Sequence, residues 1–282
     1  MHTFGHILFP VDFSDRCQAA RPFVASWARR FNAKVTLLHA IQIPISAYGG
    51  PDGYPIIVDV PSIEATAKKR LARFEMDATE RVVTIGDPAY EIIQYAAKNA
   101  VDLIAIPTHG YGPFRSLLLG STAAKVLHDA HCPVWTSTHT EDAPVHSEIR
   151  NILCAIDGSG SVPLIREASE LASTLQATLR LVNGVRFDET RPEKYMEGDF
   201  NTGLIRMSRE EVAGFQKDAG TELEAHIEGG ARISEVVREA ALADNADLVI
   251  IGGGKAHKTL GRLRSNAYAI IRDSPCPVLS LP

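Results

Sequence analysis

Ile7-Leu8-Phe9-Pro10-Val11-Asp12-Phe13-Ser14 is a short apolar run that ends on an acid and a serine. Ile152-Leu153-Cys154-Ala155-Ile156-Asp157-Gly158-Ser159 repeats its plan. Working outward, three more anchors recur in the same order. Asn32-Ala33-Lys34-Val35-Thr36-Leu37-Leu38-His39 is answered by Gln176-Ala177-Thr178-Leu179-Arg180-Leu181-Val182-Asn183. Asp102-Leu103-Ile104-Ala105-Ile106 returns as Asp247-Leu248-Val249-Ile250-Ile251, and Cys132-Pro133-Val134 as Cys276-Pro277-Val278. The offset stays at about 145 residues throughout. Four matches in order at one spacing make an internal repeat, so the chain is one unit written twice.

Within the first copy, Ile7–Val11, Val35–Ala40, Arg81–Ile85, Leu103–Ile106 and Val134–Thr136 are too short for helices and bounded by turn residues. Strands apolar along their length are buried on both faces, as in a parallel sheet covered by helices. Two helices are predicted between them. Ala89–Ala100 turns Ile92, Ile93, Ala96 and Ala100 inward, and Ser121–Ala130 does so with Ala123, Val126, Leu127 and Ala130. A first helix over Cys17–Phe31 can start from Ser14 or Asp15, and Pro22 should kink or delay it. The stretch Ile43–Pro61 reads as a long loop. The reading is α/β: two tandem doubly wound domains, each with a mainly parallel five-stranded sheet flanked by helices. The polar segment His139–Glu148, with Pro144, separates the copies; residues 1–140 and 149–282 are the expected domains and 141–148 the linker.

Composition excludes several classes. A net charge of −5 without a cationic tract argues against duplex nucleic acid as a partner. No run approaches the roughly 18 apolar residues of a membrane span, and no basic segment with an apolar stretch opens the chain as a secretory leader would. Cys17, Cys132, Cys154 and Cys276 form no Cys-x-x-Cys and no zinc spacing. Buried free thiols and a cytoplasmic setting are the expectation.

In a doubly wound sheet, ligands bind beyond the carboxyl ends of the strands, where strand order reverses. Asp12 lies just past the first strand, Thr108-His109-Gly110 follows the Leu103–Ile106 strand, and Gly120-Ser121-Thr122 opens a helix. Glycines there let main-chain amides approach a phosphate, and the helix start adds unsatisfied N–H donors. Asp12 can accept from ribose hydroxyls or help hold magnesium. The plainer alternative makes Asp12 and Asp157 N-caps of the helices that follow. Arg115 reads equally as a solvated or a phosphate-facing side chain, and the loop aromatics Tyr48 and Tyr54 as local packing rather than a base-stacking platform. Gly253-Gly254-Lys255 is not a P-loop, because Val249 and Ala256 stand where that motif needs glycine and a hydroxyl residue.

At these residues the chain resembles the universal stress protein family, in its tandem two-domain form. Pro107-Thr108-His109-Gly110, nine residues, then Gly120-Ser121 follow the G-x2-G-x9-G-[S/T] of the members that bind ATP. Pro10-Val11-Asp12, the Leu-Leu-His ending of the second strand and the Cys-Pro-Val strand are similar too. The resemblance implies a Rossmann-like fold akin to the adenine nucleotide alpha hydrolases, ATP with Mg²⁺ as ligand, and a stress-response role. It carries Pro10, Val11 and Asp12 to the ribose end, and the Ala40 backbone to the adenine edge. Pro107, His109 and Gly110 would line the triphosphate loop, with Gly120, Ser121 and Thr122 on phosphate oxygens. It further implies final strands, Val134–Thr136 and Val278–Ser280, that pair as an intrachain pseudo-dimer, with a homodimer as an extension. The motif departs at Pro107, where proline stands for the first glycine and removes an N–H. The second copy departs more, with Lys255 and Arg264 at glycine positions. A slow ATPase or adenylyl-transferring enzyme is the alternative, although no Ser-Gly-Gly-x-Asp-Ser loop and no nucleophile–base pair is visible. A nucleotide-independent scaffold or small-ligand carrier is the third reading.

Overall fold

The computed structural model describes residues 4–43, 59–107, 119–138, 148–187, 197–253 and 262–282. The first copy folds as β1 (His6–Pro10), α1 (Asp15–Phe31), β2 (Lys34–Ile41), α2 (Val60–Ala72), β3 (Glu80–Ile85), α3 (Pro88–Lys98), β4 (Leu103–Ile106), α4 (Ser121–Asp129) and β5 (Val134–Thr136). The second gives β6 (Asn151–Ala155), α5 (Ser161–Leu175), β7 (Thr178–Arg186), α6 (Glu197–Ala219), β8 (Ala225–Gly230), α7 (Ile233–Ala243), β9 (Leu248–Gly252), α8 (Arg262–Asp273) and β10 (Val278–Leu281). Two compact units result, divided between Val134 and Trp135.

In the first unit the strands run in the order β3-β2-β1-β4. The pairs β1–β2, β1–β4 and β2–β3 are parallel, with Leu8 opposite both Thr36 and Ile104. The Ile104 amide reaches the Pro133 carbonyl at 2.9 Å, which brings the start of β5 beside β4. Burial explains the apolar runs: Ile7, Leu8, Phe9 and Leu103–Ala105 are fully enclosed. In the second unit the order is β10-β9-β6-β7-β8, again parallel in each of its described pairs. That unit takes in Thr136, whose hydroxyl donates to the Val278 carbonyl at 3.3 Å.

Several local expectations need correcting. The helix α1 passes straight through Pro22 rather than starting late. Proline deprives the Gln18 carbonyl of its usual i+4 donor, and the Arg21 Nε supplies one instead at 3.2 Å. Its buried stripe is Cys17, Ala20, Phe23, Val24 and Trp27, with Phe4 stacked 5.1 Å from the Trp27 ring. The long loop ends earlier than expected, because Asp59 caps α2 through the Ser62 amide and Pro61 sits in its first turn; residues 44–58 lie outside the described set, Tyr48 and Tyr54 among them. The helix α3 ends at Lys98, and Ala100 takes a left-handed φ of 48° in an exposed turn rather than facing inward. Of the expected linker, only Glu148 is described beyond residue 138. No helix among the described residues is long and apolar enough to cross a membrane.

Candidate functional site

A cavity of about 340 Å³ opens in the first unit at the carboxyl ends of β1, β2 and β4. There β1 has β2 on one side and β4 on the other, so successive connections leave in opposite directions. Pro10, Val11 and Asp12 line it from β1, Ala40 from β2 and Pro107 from β4, with Gly120, Ser121 and Thr122 from the start of α4. The structure thus gathers eight of the ten expected residues in one hollow. His109 and Gly110 lie outside the described residues, as does Arg115.

Asp12 does not cap α1. Ser14 does, accepting from the Cys17 amide at 3.2 Å. Asp12 instead organises the turn, its Oδ1 accepting from the Ser14 amide at 2.9 Å and the Ser14 hydroxyl at 2.7 Å. Both bonds fall on one oxygen, and the residue stays exposed at the cavity rim. Beneath it the Cys17 thiol is pushed up to about 12, first by burial and then by the Asp12 charge.

Backbone geometry sets the second contact. The Leu38 carbonyl accepts from the Val11 amide on the β1 side, and the Ile41 carbonyl accepts from the Gly86 amide on the β3 side. Main-chain groups alternate along a strand, so the N–H and C=O of Ala40 face the β1 side, beyond the point where β1 has ended. A donor–acceptor pair is thereby offered to the cavity, the pattern that reads the edge of a flat heterocycle. Apolar walls stand around it: Pro88 and Ile92 from α3, and Ile106 at the end of β4.

The third contact is a helix start. Gly120 is the N-cap of α4 and brings no side-chain cap. The Gly120 carbonyl already accepts from Ala124 at 2.9 Å. A helix start leaves its first-turn amides without partners inside the helix and carries a partial positive charge, and Ser121 and Thr122 line the hollow beside it. Asp87, N-cap of α3, is bridged to Lys125 of α4 at 3.2 Å, which ties the two helix starts that flank the hollow. The Tyr90 amide, followed by Lys125, holds the Asp87 carboxyl below its ordinary range.

Sequence reasoning missed Leu38, His39, Pro88, Ile92 and Ile106, which also line the cavity. The apolar ones carried no signal beyond core burial, whereas His39 stood in view at the end of the Leu-Leu-His run. In the second unit, Asp157 ends the equivalent strand and makes no side-chain cap either. Desolvation at that strand end raises its carboxyl above the usual value. A Cβ on Gly184, the counterpart of Ala40, would stand 3.0 Å from the Ile233 side chain. Larger hollows exist, about 660 Å³ around Arg150 and Asp247 and about 650 Å³ around Arg21 and Arg81. In the first, Asp247 takes the Arg150 and Asn151 amides, and in the second Arg81 donates to three carbonyls. Among the described residues no cluster of three His, Cys, Asp or Glu side chains could hold a metal ion. All four cysteines are free, three of them buried and Cys132 half-buried.

A family model described as the universal stress protein family matches residues 3–137 and again residues 148–282. The chain belongs to the universal stress protein family. Universal stress protein A homolog 1 of Coxiella burnetii is 34% identical over 139 residues, covering 48% of this chain and 95% of that protein. A universal stress protein of Mycobacterium tuberculosis is similar across both copies, 23% identical over 258 residues, covering 86% of this chain and 84% of its own. Among solved structures, a universal stress protein from Archaeoglobus fulgidus superposes with a TM-score of 0.66 at 20% identity, over 99% of this chain and 97% of that one. The tandem α/β architecture is therefore that of a two-domain family member.

Proposed function

We propose that this universal stress protein is a stress-response regulatory protein that binds ATP through its first domain, residues 1–140. Residues 141–148 join it to the second domain, 149–282. One observation carries the reading: an acid, the Ala40 strand edge and the glycine-led start of α4 converge on a single cavity. Its volume of about 340 Å³ falls at the lower end of the roughly 300–1,000 Å³ usual for small-ligand sites. Adenine lies between the apolar walls and reads the Ala40 edge, the ribose hydroxyls donate to Asp12, and the phosphates meet Gly120, Ser121 and Thr122. Pro107, His109 and Gly110 belong to the phosphate loop in this reading. Mg²⁺ accompanies the phosphates, held by their oxygens and by water, which suits an ion that keeps most of its waters. The free thiols support a reducing, cytoplasmic setting, and the two copies form the pseudo-dimer within one chain.

Isothermal titration with ATP and MgCl₂ tests this. A saturable heat, weakened about tenfold or more in Asp12→Ala, is expected from the loss of charge-assisted bonds to the ribose. Absence of heat and of any thermal shift at millimolar ATP would overturn the reading in favour of a nucleotide-independent scaffold.

A further inference from the structure

The two copies keep one hydrogen bond while changing the residue that makes it. In the first unit the His39 Nδ1–H donates to the Val11 carbonyl at 2.7 Å; a carbonyl only accepts, so this nitrogen carries the proton. In the second, the Asn183 Nδ2 donates to the Ile156 carbonyl at 2.9 Å. The backbone beside each is the same, Val11 amide to Leu38 carbonyl at 2.8 Å and Ile156 amide to Val182 carbonyl at 2.9 Å. An imidazole and a carboxamide share little except a donor of suitable reach. The conserved feature between the copies is the bond itself. It is made to the peptide from which Asp12, or Asp157, departs.

A second restraint acts one residue further on. Phe13 has a φ of 63°, and Gly158, its counterpart, has the same φ of 63°. Glycine adopts that left-handed conformation freely, whereas a side chain there is strained. The Phe13 ring is 8% exposed and lies 4.7 Å from the His39 ring. The Arg70 guanidinium, in the last turn of α2, sits over the Phe13 ring, 4.1 Å from its centroid. In the second copy Asn183 reaches the corresponding helix differently, its Oδ1 accepting from Ser208 of α6 at 2.6 Å. Each copy thus ties the end of its second strand both to the acid-bearing turn and to the helix that follows.

We infer that His39 is a positioning residue for Asp12, and that the His39–Phe13–Arg70 stack holds the Asp12 turn in its ligand-ready conformation. The effect on affinity rests on the nucleotide reading above; the effect on the turn does not. Two readouts separate them. The first is titration with ATP and MgCl₂. The second is amide hydrogen exchange of Ser14 in the ligand-free chain, because that amide is bonded to Asp12 Oδ1. His39→Leu removes the donor and should weaken ATP about tenfold, the worth of one hydrogen bond to a buried acceptor, while speeding Ser14 exchange. His39→Asn, which copies the second unit, should recover most of both. Arg70 is exposed, so Arg70→Met leaves folding intact. It should weaken ATP about twofold to fivefold, in line with an exposed cation–π contact, and speed Ser14 exchange. Ser14 exchange unmoved in His39→Leu and Arg70→Met would overturn the inference, as would His39→Asn behaving like His39→Leu. If the wild-type chain takes no ATP, the nucleotide reading fails, and the Ser14 series still decides whether His39 holds the turn.

Discussion

Replacing Phe13 by alanine and by glycine should reverse the usual order of the two. In ordinary backbone, alanine is more stable than glycine by about 0.5–1 kcal/mol, because glycine gains more freedom on unfolding. Phe13 departs from ordinary backbone, with a φ of 63°. A side chain in the left-handed region costs about 1–2 kcal/mol, and Phe13 offsets that with an almost fully buried ring against His39, Phe74 and Arg70. Phe13→Ala discards the ring, worth about 3–5 kcal/mol in a packed interior, and keeps the strain. Phe13→Gly discards the same ring and releases the strain. Glycine should therefore be the milder change by about 1 kcal/mol, equivalent to about fivefold in the opening equilibrium. Because the chain divides into two compact units, the measurement must report the first alone. Native-state exchange of the Ile104 amide does so, since it is bonded to Pro133 within the central strands of that unit. About fivefold slower exchange in Phe13→Gly than in Phe13→Ala is the expected outcome. Equal rates, or slower exchange in the alanine variant, would show that the left-handed turn stores no strain.

Gly120→Arg, which copies Arg264 of the second half, should abolish ATP binding by setting a side chain where phosphate approaches the helix start; calorimetry showing unchanged affinity would place the phosphates elsewhere. Asp87 should titrate below the usual carboxyl value of about 3.9 by NMR, and Lys125→Ala should raise it only part of the way, since the Tyr90 amide is the larger cause. Its folded value is depressed, so the stabilisation it brings is present above the unfolded pKa and is lost as the pH falls through the folded one. With Cys17, Cys154 and Cys276 pushed up to about 12 and Cys132 to about 11 by burial, a disulfide reagent at neutral pH should leave the thiols of the native chain nearly unreacted; fast labelling of Cys132 would contradict its enclosure.

Much of the fold could be read from the residues because a parallel sheet buries whole strands, and Ile7–Phe9 or Leu103–Ala105 look buried wherever they occur. The tandem plan was legible for the same reason, since four such strands recur in order. What escaped depends on contacts that no periodicity encodes. Pro22 is a helix breaker in isolation; the Arg21 side chain that satisfies the Gln18 carbonyl is visible only in three dimensions. Asp59 and Pro61 are helix-start signals that were hidden inside a proline- and glycine-rich stretch. At the candidate site, the residues with special backbone needs or formal charge were recognisable, Asp12 and Gly120 among them. Pro88, Ile92 and Ile106 were not, because a cavity wall and a core wall use the same side chains. Asp12 was readable as important but not for its role, since the choice between capping and turn-bracing is made by Ser14, two residues away.

The repeat also acts as an internal control on the site. Two copies of one backbone place an acid after the first strand and a side-chain donor on the carbonyl before it. They differ in what stands at the end of the second strand. The first has Ala40 beside Pro88 at a hollow; the second has Gly184 with the Ile233 side chain 3.0 Å from where a Cβ would be. A shorter strand residue there has been matched by a longer helix residue, the compensation that close packing demands when volume moves from one wall to the other. The same exchange runs in reverse at the turn, where glycine in the second copy faces phenylalanine in the first. Bulk has thus moved toward the turn in the copy with the described hollow, and toward the strand end in the other. Packing distinguishes the two halves before any phosphate-loop residue is consulted, and it does so at the end of the second strand and at the turn after the first.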